Sequence, residues 1–175
     1  NEVNKIISQE CCFAYAQSFE ALEKFFKDCV INKLPINTKC CSWFNKDKTK
    51  NIKRENLSGD KLYRIVKQAG DPYFSEFSTN NNKNFKFKEL WSVLSECRHA
   101  IVHSKSIVNI NKIRKTEYHF KIFEYLFSHS NKGNSLIIIE LDYKELDQLL
   151  KVVAELAFQV YKSLCRTESL DWNIK

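Results

Sequence analysis

A chain of 175 residues can bury a core without disulfide or metal staples. Its 43% apolar content, with 13 Phe, 7 Tyr and 3 Trp, excludes a disordered polymer, while three Gly and two Pro leave little turn material for a many-stranded fold. The 28 Lys and Arg against 21 Asp and Glu give a net charge of +7, which favours a polyanion such as RNA as partner; the joint abundance of Lys, Asn, Ile, Phe and Tyr is equally what an AT-rich coding sequence would yield.

Residues 3 to 31 carry Ile7, Cys11, Ala14, Ser18, Leu22, Phe25 and Cys29 at steps of three and four, which predicts one long amphipathic helix ended at Pro35. Thr38 to Asn56 is a Lys-rich connector around Trp43 and Phe44, read as an exposed loop with a short helical turn at most. Ser58 is the expected N-cap of a helix through Leu62, Ile65, Val66 and Ala69, closed by Gly70 and then Asp71-Pro72. After the polar loop Ser78 to Asn84, a helix beginning near Phe87 aligns Leu90, Leu94, Cys97 and Ile101. Residues 106 to 116 are basic and carry no clear pattern. Tyr118 to Phe127 predicts a helix ending in a turn at Asn131-Lys132-Gly133-Asn134, and Leu136 to Leu141 predicts one short strand or an extended connection. Asp142 to Glu145 forms a capping box before the strongest helical period in the chain, Leu146, Leu149, Leu150, Val153, Ala157, Val160 and Leu164. The fold class expected is all-α, an up-and-down helical bundle with long loops and at most one short strand, built as one domain over residues 1–175.

The seven Cys stand as Cys11-Cys12, Cys40-Cys41, Cys29, Cys97 and Cys165, with no Cys-x-x-Cys spacing. They read as reduced core thiols in a reducing compartment rather than as zinc or redox motifs. No apolar run is long enough to cross a bilayer and the first ten residues lack secretory features, so a cytoplasmic protein with no membrane partner is expected.

Chemistry is suggested most directly by Arg98-His99-Ala100-Ile101-Val102-His103 at the end of the third predicted helix. Arg98 presents a permanently charged fork suited to phosphate oxygens, and an imidazole exchanges a proton near neutrality. Together they supply a general acid/base and a clamp for charge developing on phosphorus, without cofactor or metal. Three other readings stay beside this one: Arg and His at a helix end also serve its last carbonyls; His99 and His103, at i and i+4, have the spacing of a metal pair; and Lys83 to Lys88, with Phe85 and Phe87, either stacks bases or leads into the helix with its rings buried. His119 and His129 read as exposed or capping residues.

In this form, Arg, a polar residue, three more residues and His, the segment resembles the signature of the HEPN superfamily of small all-helical proteins. The resemblance implies a metal-independent endoribonuclease, a toxin or anti-phage defence effector, cutting RNA by attack of its 2′-hydroxyl at a site formed across a homodimer interface. Arg98 would hold the scissile phosphate, His103 would act as general acid or base, and His99 would support them. The basic residues Lys105, Lys112, Arg114 and Lys115, just after the motif, are the candidates for gripping RNA. Arg98 and His103 differ by roughly 140° in direction around an ideal helix, which fits a paired site, and Trp91 and Val102 are the apolar candidates for its interface. An inhibitor or antitoxin protein is a further partner class. Toxins controlled by nucleotidyltransferase partners carry a Tyr two residues after the His; Lys105 stands there, which argues against control by AMP transfer. The alternative is a non-catalytic HEPN-like module that binds RNA or protein.

Overall fold

The computed structural model of the protein describes residues 2–33 and 57–171. The Lys-rich connector at Thr38 to Asn56, with Cys40 and Cys41, lies outside the described residues. Those described form seven helices and a three-stranded sheet: α1 Glu2–Lys33, α2 Gly59–Gly70, α3 Tyr73–Phe77, α4 Phe87–His103, β1 Ile107–Asn109, α5 Ile110–Ile113, α6 Glu117–Leu126, β2 Ser128–Gly133, β3 Leu136–Glu140 and α7 Tyr143–Thr167. They fall into two compact units, one of Asn1–Ala21 and Phe85–Ala154, the other of Leu22–Asn84 and Glu155–Lys175.

In the first unit, α1 buries Cys11, Cys12, Tyr15, Ala16 and Phe19. Cys11 is buried as expected, but Tyr15 and Phe19 take the places expected for Ala14 and Ser18, because they offer more apolar surface while keeping the same step of four. Phe19 meets Trp91 of α4 with ring centroids 5.0 Å apart, and Tyr15 meets Phe127 edge-on at 5.2 Å. Burying a ring such as Phe19 stabilises the fold by about 1.5–3 kcal/mol. The Tyr15 hydroxyl would cost nearly as much unpaired, and it donates to the Leu94 carbonyl oxygen at 2.7 Å. On α4 the buried positions Leu90, Leu94, Cys97 and Ile101 recur at helical spacing, as the sequence predicts.

The sheet corrects the expectation of a single short strand. β3 is central, flanked antiparallel by β1 and β2 in the order β1-β3-β2. Ile137 and Ile139 of β3 are buried, whereas β2 reads Ser-His-Ser-Asn-Lys-Gly and carries no alternation to betray it. Backbone pairing with β3, not side-chain burial, makes β2 a strand, with Ser128 opposite Glu140 and Asn131 opposite Ile137. The expected turn at Asn131 to Asn134 therefore moves: Asn134 and Ser135, with φ of 52° and 61°, make the reversal, the two positive φ values that a type I′ hairpin needs. The unassigned stretch after residue 106 becomes β1 and the one-turn α5. The capping box holds in both directions: Asp142 accepts from the Glu145 amide at 2.8 Å, and Glu145 accepts from the Asp142 amide at 2.9 Å.

In the second unit, Leu57, Leu62, Ile65, Val66, Phe74, Phe77, Val160 and Leu164 are buried. Ser58 takes the N-cap position of α2 without a side-chain hydrogen bond. Gly70 ends α2 against α7, where an added Cβ would stand 3.0 Å from the Ser163 Cβ and 3.2 Å from that of Phe74. The Thr167 hydroxyl, 3.1 Å away, donates to the Gly70 carbonyl. Lys162 lays its ammonium over the Phe77 ring at 4.5 Å.

Candidate functional site

The helix α4 runs unbroken to His103, so all three motif side chains are set by one regular backbone. Its end is closed by the Ser104 and Ser106 amides, which both donate to the Ala100 carbonyl at 2.9 and 3.1 Å. Lys105 and Ser106 follow in the left-handed region, with φ of 52° and 63°. This termination turns the chain directly from the motif into β1.

Arg98 and the two histidines take different partners. The guanidinium of Arg98, whose side chain is 24% exposed, donates to the Glu20 carboxylate of α1 at 2.6 Å. Its Nε is shielded from solvent with no acceptor, so the fork is only partly used. His99 and His103, both exposed, face each other one turn apart with ring centroids 4.8 Å apart and planes inclined by 49°. Among the described residues no hydrogen bond or ion pair joins Arg98 to His103, in keeping with their separation around the helix. Val102, between them, is 41% exposed, but Trp91 is 1% exposed and packed on Phe19. Trp91 is thus a core residue and not the surface contact expected from its spacing: large apolar area outweighs helical position in deciding which residue turns inward.

The four basic candidates are dispersed. Lys112 shares a cavity of about 350 Å³ with Glu96, His99, Ser104 and Asn109. Arg114 lays its guanidinium on the Phe120 ring at 3.8 Å and pairs with Glu117 at 3.6 Å. The Lys115 ammonium donates to the Ser92 hydroxyl at 2.9 Å. Lys105 opens onto a separate, larger cavity of about 770 Å³, lined by Cys12, Glu140, Asp142 and Glu145 among others. That cavity is poorly equipped for chemistry. Burial pushes the Cys12 thiol up to about 11, away from the thiolate a nucleophile needs. Its carboxylates are occupied: Glu145 accepts from Ser128 and the Asp142 amide, and Glu140 from the Ser130 hydroxyl.

The other histidines play structural parts. The His119 ring is hydrogen-bonded through Nδ1 to the Thr116 hydroxyl at 2.8 Å at the start of α6, and burial lowers its pKa from 6.5. His129 packs against Phe123 with centroids 5.2 Å apart. The five cysteines of the described residues carry free thiols, and no helix there is long and apolar enough to cross a membrane.

Two residues of the site escape sequence reasoning, Glu20 and Glu96. An Arg on a largely apolar helix face calls for an anion, but nothing in the chain selects Glu20, 78 positions away, from its 21 carboxylates. Comparison of the chain with family models, curated proteins and solved structures finds no match.

Proposed function

We propose that the chain is a metal-independent endoribonuclease of HEPN type, active as a homodimer and serving as a toxin or defence effector. The observation that carries this reading is the end of α4: an arginine that stays partly exposed beside its ion pair, and two solvent-facing imidazoles, on one rigid helix. Those groups suffice for transesterification of RNA. His103 takes the 2′-hydroxyl proton as the oxygen attacks phosphorus, Arg98 holds the phosphate as charge builds on it, and an imidazole returns a proton to the departing 5′-oxygen. The products are a 2′,3′-cyclic phosphate and a 5′-hydroxyl end. Exposed Val102 and the angular separation of Arg98 from His103 support a cleft completed by the same helix of a second copy, related by a two-fold axis.

The test is incubation of the purified chain with structured and single-stranded RNA in EDTA, followed by chemical analysis of the ends. Cleavage to cyclic phosphate ends is expected; cleavage that requires a divalent ion overturns the mechanism. A second reading, a HEPN-like module that binds RNA or protein without cutting, is favoured by the Arg98–Glu20 ion pair, which already occupies part of the phosphate clamp. Under that reading RNA binds and remains intact.

A further inference from the structure

We infer that His99 and His103 form a two-imidazole site for a borderline-soft divalent cation, Zn²⁺ in particular, and that its occupancy switches the α4 site off. Imidazole nitrogen binds Zn²⁺ at about 2.1 Å, placing the ring centroid about 3.2 Å from the metal. Two such rings on one ion then have centroids about 4.5 Å apart at a right angle and about 5.2 Å apart at the tetrahedral angle. The observed separation of 4.8 Å lies between these limits. The two rings thus stand within the span of one ion, and because the helix is regular through His103 little backbone order has to be gained on binding. Both rings face solvent, so the remaining positions on the metal are open to water.

The surroundings suit a cation in part. Glu96, one turn before His99, lines a cavity with His99 that His103 does not border, and Lys112 on that cavity carries the opposing charge. No cluster of three or more His, Cys, Asp and Glu side chains forms among the described residues, so this is a two-ligand, exchangeable site and not a structural one. Imidazole donors select Zn²⁺, Cu²⁺ and Ni²⁺ over Mg²⁺ and Ca²⁺, which prefer oxygen. The switch, unlike the binding, rests on the nuclease reading: a metal on His103 takes the nitrogen lone pair that would accept the 2′-hydroxyl proton.

Imidazole ¹⁵N resonances of the full chain report the binding directly, whatever the thiols do. On addition of Zn²⁺ the ring signals of His99 and His103 should shift together, Mg²⁺ should move neither, and in the exposed substitution His99→Gln the response of His103 should be largely lost. Silent rings in the wild type, or an undiminished His103 response in His99→Gln, overturn the site. RNA cleavage measured first in EDTA and then with rising Zn²⁺ should fall in step with the ring shifts. Full cleavage with both rings metal-bound overturns the switch alone, and absence of cleavage in EDTA removes the nuclease reading while the resonances still decide the metal site.

Discussion

Arg98 on α4 and Glu20 on α1, 78 positions apart in sequence, meet at 2.6 Å with the carboxylate half exposed. An ion pair this open to water contributes at most about 1 kcal/mol to stability. Its larger effect is on what else the guanidinium can hold, since Glu20 and a phosphate compete for the same fork.

Glu20→Gln should therefore tighten RNA binding while leaving the melting temperature within a few degrees of wild type, because the substitution removes a negative charge beside the phosphate and keeps a hydrogen-bond acceptor. Titration with labelled RNA at fixed salt, beside a thermal melt, measures both. Weaker binding by Glu20→Gln would show that the carboxylate aligns Arg98 instead of competing for it.

His103→Ala removes the proton-transfer group and should lower the cleavage rate by about 10²- to 10⁴-fold while RNA affinity stays close to wild type. Lys112→Ala should do the reverse, weakening binding and its salt dependence with little effect at saturating RNA. Single-turnover kinetics and binding isotherms separate the two. Equal cleavage by wild type and His103→Ala would mean that the end of α4 is not the active site.

Gly70→Ala should destabilise the protein. Alanine gains about 1 kcal/mol in a helix relative to glycine, but its methyl group would lie 3.0 Å from the Ser163 Cβ and 3.2 Å from the Phe74 Cβ, an overpacking that costs about 1–3 kcal/mol. The net loss should be visible as a lower denaturant midpoint, and Gly70→Leu should be much worse. A midpoint raised by Gly70→Ala would show that α2 and α7 move apart easily.

Asp142→Ala strips the N-cap acceptor from the Glu145 amide and should cost about 1 kcal/mol. Since Glu145 also accepts from the Asp142 amide, the double substitution with Glu145→Ala should cost less than the sum of the single ones. Chemical denaturation of the four chains provides the cycle.

For His119, burial favours the neutral ring and holds the folded pKa below the 6.5 of the free side chain. The unfolded chain thus binds the proton more readily. The stability linked to this group is complete above pH 6.5 and declines as pH falls below that value toward the lower folded pKa. The loss of stability from about pH 7 to about pH 5 should be shallower in His119→Gln. Identical slopes for the two chains would assign the effect to other groups.

The long helices, the Asp142–Glu145 capping box and the position of the Arg98–His103 motif at a helix end are all legible in the sequence, because periodicity, capping and turn chemistry act between residues a few positions apart. The same local rules place Cys11 and Leu22 of α1 in the core but choose Ala14, Ser18 and Phe25 over Tyr15, Phe19 and Phe26, and they turn Trp91 outward, since only the opposing surface decides which of two adjacent apolar rows is covered. β2 is invisible beforehand because its side chains do not alternate and its identity comes from backbone bonds to β3. The site divides in the same way. Helical spacing alone brings His99 and His103 together, whereas the partner of Arg98 exists only once α1 and α4 pack, because an ion pair between distant residues leaves no pattern in the chain that forms it.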